Sequence, residues 1–266
     1  MKIARFSMNH GARFGVLNEE TGRYHLLTGD PLYSGLEQSG EVITADEAHF
    51  VAPMLPRSKV IGFHQPFGTA RKEISGNKVA SSEILSSEIS APELTAYLKP
   101  NTSVVGTNVP VVIPKWAPSE EISFTPQLGL IVSRPCKEVP SAMVGEMIFG
   151  YLLVAVGEIP ELAAKDSARA YAFDTSCLSG PIVETGMPVG DFQFSFDLGA
   201  DGYDASVEID AEMLSNRIAL ASDIATLLPG DLILSGPLGK ALTAREGDEI
   251  VFQHTELGTL QNSVLK

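Results

Sequence analysis

The 266-residue sequence predicts a mixed β fold with a minor helical part, an α+β protein. Three observations carry this. Short apolar runs bounded by glycine, proline and acidic turn residues recur along the whole chain, the pattern of buried and half-buried strands. Two hairpin-like turns fall within roughly the first twenty-five residues. One clear helical period places Leu214, Ile218, Ala221, Ile224 and Leu228 on a common face at intervals of three and four.

Taken in order, the pieces KIARF, RFGVL and RYHLL, separated by Asn9-His10-Gly11 and Glu19-Glu20-Thr21-Gly22, predict a small antiparallel sheet. A loop-rich link punctuated by Gly29-Asp30-Pro31 and Ser39-Gly40-Glu41 ends at Pro53 and Pro56. Lys59 to Phe63 reads as a strand. Gly76 to Pro92 is rich in serine and glutamate and reads as a solvated loop, a short exposed helix or a lid. Val104 to Gly106 and Val109 to Ile113 read as strands, and Trp116, the single tryptophan, as a packing residue.

The central stretch predicts a buried strand at Leu128 to Val132, a short helix over Ser141 to Ile148 and a second strand at Phe149 to Val156. A polar loop from Phe173 to Pro181 follows, of the kind that approaches a ligand closely. Phe192 to Phe196 and Ala205 to Ile209 form a hairpin across Gly199 to Tyr203. The helix from Glu212 to Leu228 stops at Pro229-Gly230, and strands at Leu232 to Leu234, Glu249 to Phe252 and Gly258 to Leu260 close the sheet.

Composition bounds the function. With 19 Lys and Arg against 33 Asp and Glu, the net charge is −14, which opposes nucleic acid, where affinity comes largely from cations that neutralise phosphates. It also opposes an anionic membrane surface, and with no apolar h-region in MKIARFSMNHGARFGV and no run of eighteen or more apolar residues, neither secretion nor membrane spanning is expected. Cys136 and Cys177 fit a reducing cytosol, their even count leaving a bridge open. The expected location is cytoplasmic. No Cys/His set has zinc spacing, and Gly236-Pro237-Leu238-Gly239-Lys240 is too short for a phosphate-binding loop.

ISFTPQLGLIV, MIFGYLLVAVGE and AYAFDTSCLSGP, together with VIGFHQPFGTARKE, YLKPNTSVVG and LLPGDLILSGPLG, resemble the fumarylacetoacetate hydrolase family. Its catalytic half carries an E-x-E strand, a GYT-x-x-ND-x-SARD strand, a KSFDT-x-x-x-GP loop and the runs FLKP and LLPGD. The resemblance implies a β-roll catalytic half over residues 56–266, a small N-terminal β subdomain over 1–55 and a homodimer. It also implies a small-molecule substrate, an oxo acid or an enolisable 1,3-dicarbonyl compound.

The departures from the family pattern are chemically pointed. Thr125 and Gln127 stand where the family has the two glutamates, and Val156 where it has the aspartate of its cation site. Hard divalent cations need anionic oxygen ligands to offset dehydration, so no metal and no other cofactor is expected. Tyr171 replaces the lysine of KSFD, and Ala70 the histidine of the family's water-orienting dyad, whose carboxylate survives as Glu73.

The resulting assignment has Glu73 as general base, Tyr171 as a neutral donor to an enol oxygen, and His64 as a further catalytic candidate. Thr125, Gln127, Lys99, Ser176, Ser235 and Gly236 are the expected substrate-binding residues. Several have a plainer reading. His64 reads more simply as a surface or loop histidine bonded to backbone, and Tyr171, Gln127, Thr125 and Ser176 read equally as filling of a vacated cavity. Cys177 reads as a buried inert thiol, lacking a partner that would activate it. Glu158 and Glu161, just after the second central strand, are either displaced carboxylates or solvated loop acids. Two functions follow: metal-independent hydrolysis, decarboxylation, tautomerisation or cyclisation, or a non-catalytic relative that binds a ligand or supports a partner.

Overall fold

The computed structural model describes residues 1–67, 94–186 and 190–266, and residues 69–74 as backbone. The Gly76 to Pro92 insertion and the side chain of Glu73 lie outside the described residues. In chain order the strands begin with β1 (Lys2–Met8), β2 (Gly11–Asn18), β3 (Arg23–Leu27), β4 (Gln38–Thr44), β5 (Val60–Phe63), β6 (Thr69–Ile74), β7 (Ala96–Lys99), β8 (Val104–Val105) and β9 (Val111–Val112). They continue as β10 (Ile122–Val132), β11 (Ile148–Glu158), β12 (Cys177–Ser179), β13 (Ile182–Glu184), β14 (Gly190–Leu198) and β15 (Asp201–Ile209). The last are β16 (Leu232–Pro237), β17 (Leu242–Ala244), β18 (Glu249–His254) and β19 (Gly258–Leu265). The α-helices are α1 (Pro31–Ser34), α2 (Pro160–Ala163), α3 (Ser167–Tyr171) and α4 (Ala211–Ile224).

The described residues form two sheets, and the α+β expectation holds. The larger follows the order β4-β3-β2-β1-β13-β11-β10-β16-β5-β7, and the smaller β6-β15-β14-β18-β19-β9. The N-terminal hairpins form as the turn residues predict, and β1 also pairs antiparallel with β13, Lys2 opposite Glu184 and Ala4 opposite Ile182.

Strand alternation sorts the central residues onto two faces. Phe124, Leu128 and Leu130 of β10 and Leu153 and Ala155 of β11 pack with Phe192, Phe194, Phe196 and Phe252 of the second sheet. The opposite face carries Ile131, Leu152, Val154 and Val156, packed with Tyr97, Tyr171 and Cys177. Thr125 and Gln127 alternate with Phe124 and Leu128, so they share that opposite face.

Several sequence expectations need correction. The second central strand does not end at Val156 but runs to Glu158, because Gly157 keeps its pairing with Phe124 and Glu158 stands opposite Ser123. The helix at Ser141 is a 3-10 helix, Ser141–Met147. The Phe173 to Pro181 loop contains β12, paired with β11 and β8. Helix α4 stops at Ile224, because Ala225 is extended (φ −150°, ψ 151°) and the chain bridges Leu227 to Cys136. Leu214, Ile218 and Ala221 are therefore buried, whereas Ile224 and Leu228 are 47% and 40% exposed. Trp116 is no core residue. It is 46% exposed, with the Arg169 guanidinium 6.0 Å above its ring.

Candidate active site

Five elements bring polar groups to the face of β10 and β11 that looks away from the second sheet. β10 supplies Thr125 and Gln127, β11 supplies Glu158, α3 supplies Tyr171, and the β5 end with its neighbour β7 supplies His64 and Tyr97. Asp166 caps α3 by accepting from the Arg169 backbone N–H at 3.1 Å, which fixes the short helix that ends on Tyr171. The three rings form a compact set. Tyr97 stacks on Tyr171 with centroids 4.4 Å apart and planes at 22°, and His64 lies 4.9 Å from Tyr97 and 5.2 Å from Tyr171. The Tyr171 hydroxyl and His64 Nδ1 are 3.4 Å apart.

Two glycines are required for this arrangement. A Cβ on Gly62 would lie 2.2 Å from Tyr97 Cζ and 2.5 Å from its hydroxyl oxygen. The phenol of edge strand β7 thus reaches across β5 toward the sheet interior only because residue 62 has no side chain. Gly236 has φ +101°, and a Cβ there would lie 2.2 Å from the Gln65 carbonyl oxygen. This turn directs the Gly236 N–H to Gln127 Oε1 at 3.0 Å.

The other sequence-selected residues fall into two groups. Gln127 Nε2 donates to Thr125 Oγ1 at 3.3 Å, and Ser235 Oγ accepts from the Leu128 N–H at 3.0 Å and donates to the Gly236 carbonyl at 2.8 Å. These keep the polar strip of the site in place. Lys99 and Ser176 lie behind it. The Lys99 ammonium is 2% exposed as a residue and donates to the carbonyls of Gly157 (3.1 Å), Tyr171 and Ser176 (3.1 Å) and to Ser176 Oγ (2.8 Å). Ser176 Oγ in turn donates its one proton to the Phe173 carbonyl at 2.6 Å, with the Tyr171 carbonyl 3.1 Å away. Lys99 therefore ties the ends of β11 and α3 to the β12 loop.

Two functional candidates were underread in the sequence. Glu158 is two residues beyond Val156 on one strand, and residues i and i+2 share a face. That parity was the available signal. Glu161, by contrast, sits in α2. Tyr97 reads in sequence as the aromatic of the FLKP-like run. Its approach to the site depends on the cross-strand pairing of Gly62 with Tyr97.

Electrostatics keep the phenols neutral. Burial pushes Tyr171 well above the ordinary tyrosine value, and the Glu158 charge adds to the rise. Burial pushes Tyr97 the same way, with the adjacent Gln127 side chain opposing. The Tyr97 hydroxyl is buried with no well-formed hydrogen bond, the Gln127 side chain being its polar neighbour. Burial lowers His64 against the pull of Glu158, favouring the neutral imidazole. Burial brings Lys99 down to about 8 and Cys177 up to about 11, and both cysteines are free and buried. Cys177 is an inert thiol.

The donors here do not fit a hard divalent cation. Gln127 Oε1 is already engaged by a backbone N–H, Val156 presents an isopropyl group in an apolar cluster, and Glu158 is a single carboxylate. Among the described residues no group of three or more His, Cys, Asp or Glu is placed to hold a metal.

Residues 73–265 match the model of the fumarylacetoacetate hydrolase C-terminal family, and residues 1–53 match an Rv2993c-like N-terminal model. Protein Rv2993c of Mycobacterium tuberculosis is 26% identical, covering 100% of this chain and 98% of its own length. The 4-hydroxyphenylacetate degradation bifunctional isomerase/decarboxylase of Salmonella dublin is 27% identical over 66% of this chain and 41% of its own. Oxaloacetate tautomerase Fahd2a, mitochondrial, of Rattus norvegicus is 23% identical over 80% and 72%. The crystal structure of 5-carboxymethyl-2-hydroxymuconate delta-isomerase from Mycobacterium smegmatis superposes with TM-score 0.79 at 24% identity, covering 100% and 99% of the two chains.

Proposed function

Because the chain belongs to the fumarylacetoacetate hydrolase family, we propose that it is an enzyme of enolisable carbonyl compounds, oxo acids or 1,3-dicarbonyls, working without a metal by proton transfer beside a carbonyl. Family relatives that are isomerases, decarboxylases and tautomerases support chemistry of this kind. The observation that carries the metal-free reading is the Tyr171 phenol, set against His64 and within the influence of Glu158, on a face where Thr125 and Gln127 are uncharged.

The chemistry divides into two roles. A carboxylate removes the proton on the carbon next to the carbonyl, and the electron pair moves onto the carbonyl oxygen. Tyr171, held neutral, donates its O–H to that developing oxyanion, where a preorganised donor in a dry setting contributes most. Returning the proton at carbon or oxygen gives tautomerisation. In decarboxylation no proton is first removed: the C–C bond to a carboxylate β to the carbonyl breaks, carbon dioxide leaves, its electron pair passes to the same carbonyl oxygen, and the enolate is then protonated at carbon. Glu158 is the proposed base. Glu73, on β6 opposite Ala205, is the second candidate.

The test is turnover of short oxo acids and β-diketones in the presence of a chelator. Glu158→Gln should lower turnover by about two to four orders of magnitude and Tyr171→Phe by about two to three. A large effect of Glu73→Gln with none from Glu158→Gln transfers the base role to Glu73. Binding without turnover for every compound would instead make the chain a ligand-binding relative. The homodimer is proposed on family resemblance, and light scattering at micromolar concentration should give twice the 28.4 kDa chain mass.

A further inference from the structure

Arg217 lies at the middle of α4, a helix whose Leu214, Ile218 and Ala221 are buried in the core that also holds Phe63 and Phe67. It is 3% exposed, and its guanidinium sits 5.1 Å from the Phe63 ring and 5.9 Å from the Phe67 ring. Among the described residues no carboxylate offsets its charge, and burial alone brings it down to about 10. Its Nη1 is buried without a hydrogen-bond partner. What the guanidinium holds is backbone: Nη2 donates to the Gln65 carbonyl at 3.2 Å and to the Pro66 carbonyl at 3.0 Å. A leucine would fill the space between the two rings without desolvating a charge. The gain from an arginine here is therefore in direction and not in packing.

Those two carbonyls belong to the turn that carries His64 away from β5. The turn is fastened at its ends, His64 N–H to the Thr95 carbonyl at 3.1 Å and Phe67 N–H to the Pro237 carbonyl at 2.8 Å. Gly236, which has no Cβ, lets the Gln65 carbonyl approach closely. Phe63 and Phe67 enter the core shared with α4, whereas the His64 ring packs on Tyr97 and Tyr171, which belong to the opposite cluster. We infer that Arg217 is a positioning residue: from the opposite core it fixes the 64–67 turn and so holds His64 against the Tyr171 hydroxyl. The inference rests on the enolisation reading, in which Tyr171 aims its O–H at the substrate oxygen. His64 Nδ1 is 3.4 Å from that hydroxyl, so the place of the imidazole decides which directions remain for the phenol hydrogen. Two hydrogens of one planar nitrogen spanning successive carbonyls form a rigid fork that a lysine ammonium does not reproduce.

Imidazole NMR titration of the full chain tests this independently of turnover, with His64→Gln to assign the resonance. Tyr97, Tyr171 and Glu158 are the titratable groups that face His64, and burial holds its titration below the ordinary histidine value. Arg217→Met keeps a side chain between the two phenyl rings and removes the donors. In that variant the His64 titration should rise toward the ordinary value, and the nuclear Overhauser contacts between the His64 and Tyr171 rings should be lost. Turnover of short oxo acids should fall about 10- to 100-fold in kcat with KM changed by less than about threefold, the scale of a misplaced catalytic group. Arg217→Lys should weaken the same ring contacts in a folded chain, and it carries the test if Arg217→Met does not fold. A lowered thermal midpoint in either variant, with His64 titration and ring contacts unaltered, makes Arg217 structural and overturns the inference. A displaced His64 with undiminished turnover also overturns it. A displaced His64 in a chain whose wild type turns over no oxo acid or β-diketone sustains the positioning and overturns the enolisation reading instead.

Discussion

The Lys99 hub and the phenol face lie back to back and handle polarity in opposite ways. Lys99 is a buried charge whose acceptors, three backbone carbonyls and the Ser176 hydroxyl, all belong to the protein. Tyr97 is a buried neutral group with no well-formed hydrogen bond, the Gln127 side chain adjoining it, and Tyr171 has a long contact to His64 and the Glu158 side chain beside it. The first region has completed its hydrogen bonding and so serves the fold. The second leaves donors open where an oxygen can enter. Charge alone would have pointed to Lys99 as the substrate contact, whereas satisfaction of hydrogen bonds points to the tyrosines.

The contrast breaks first at Lys99. Lys99→Met should remove about 3–5 kcal/mol of stability, since it leaves buried carbonyls unpaired. Urea denaturation reads this, and a loss under about 1 kcal/mol would mean that water or repacking replaces the ammonium. Gly62→Ala tests the other side. The added methyl meets the Tyr97 ring, so the phenol must shift, at about 1–3 kcal/mol of stability.

A smaller effect sharpens the charge argument. Burial lowers Lys99 from 10.5 to about 8, so between those values the unfolded chain holds a proton that the folded chain has released. Stability should therefore rise with pH across that window, and Lys99→Met should abolish the rise. The smallest expected effect is that of chelation. A thermal midpoint that falls on adding chelator and recovers with magnesium or manganese would show that a cation stabilises the native state, and the neutral-donor account would fail.

Much of this was legible in the sequence. The hairpin of β14 and β15 and the buried runs of β10 and β11 follow from apolar period and turn residues, which are local properties. Thr125 and Gln127 were singled out by their match to the family's E-x-E pattern, and the strand that carries them, read as starting at Leu128, begins at Ile122. Glu158 was harder, because Gly157 and Pro160 resemble a strand end, and only the pairing of Gly157 with Phe124 keeps the strand going. Helix α4 was overextended because Ile224 and Leu228 fit its period, while the chain at Leu227 is committed to Cys136. Tyr97 was not legible at all as a site residue. Its position arises from an edge strand, a cross-strand glycine and a ring on another element, none of which is local.

The pairing of β1 with β13 has a consequence for how the chain acquires its fold. Met1 and Glu184, joined by an ion pair, are 183 positions apart. Closing so large a loop slows folding more than it weakens the product, since the entropic cost grows only with the logarithm of length. The β1–β2 hairpin closes in about 1–10 μs. Its partner strand leaves a ribosome running at about 5–20 residues per second some 10–40 s later. During that interval the free edge of β1 carries unpaired N–H and C=O groups, and a second nascent chain can take the place reserved for Ile182 to Glu184.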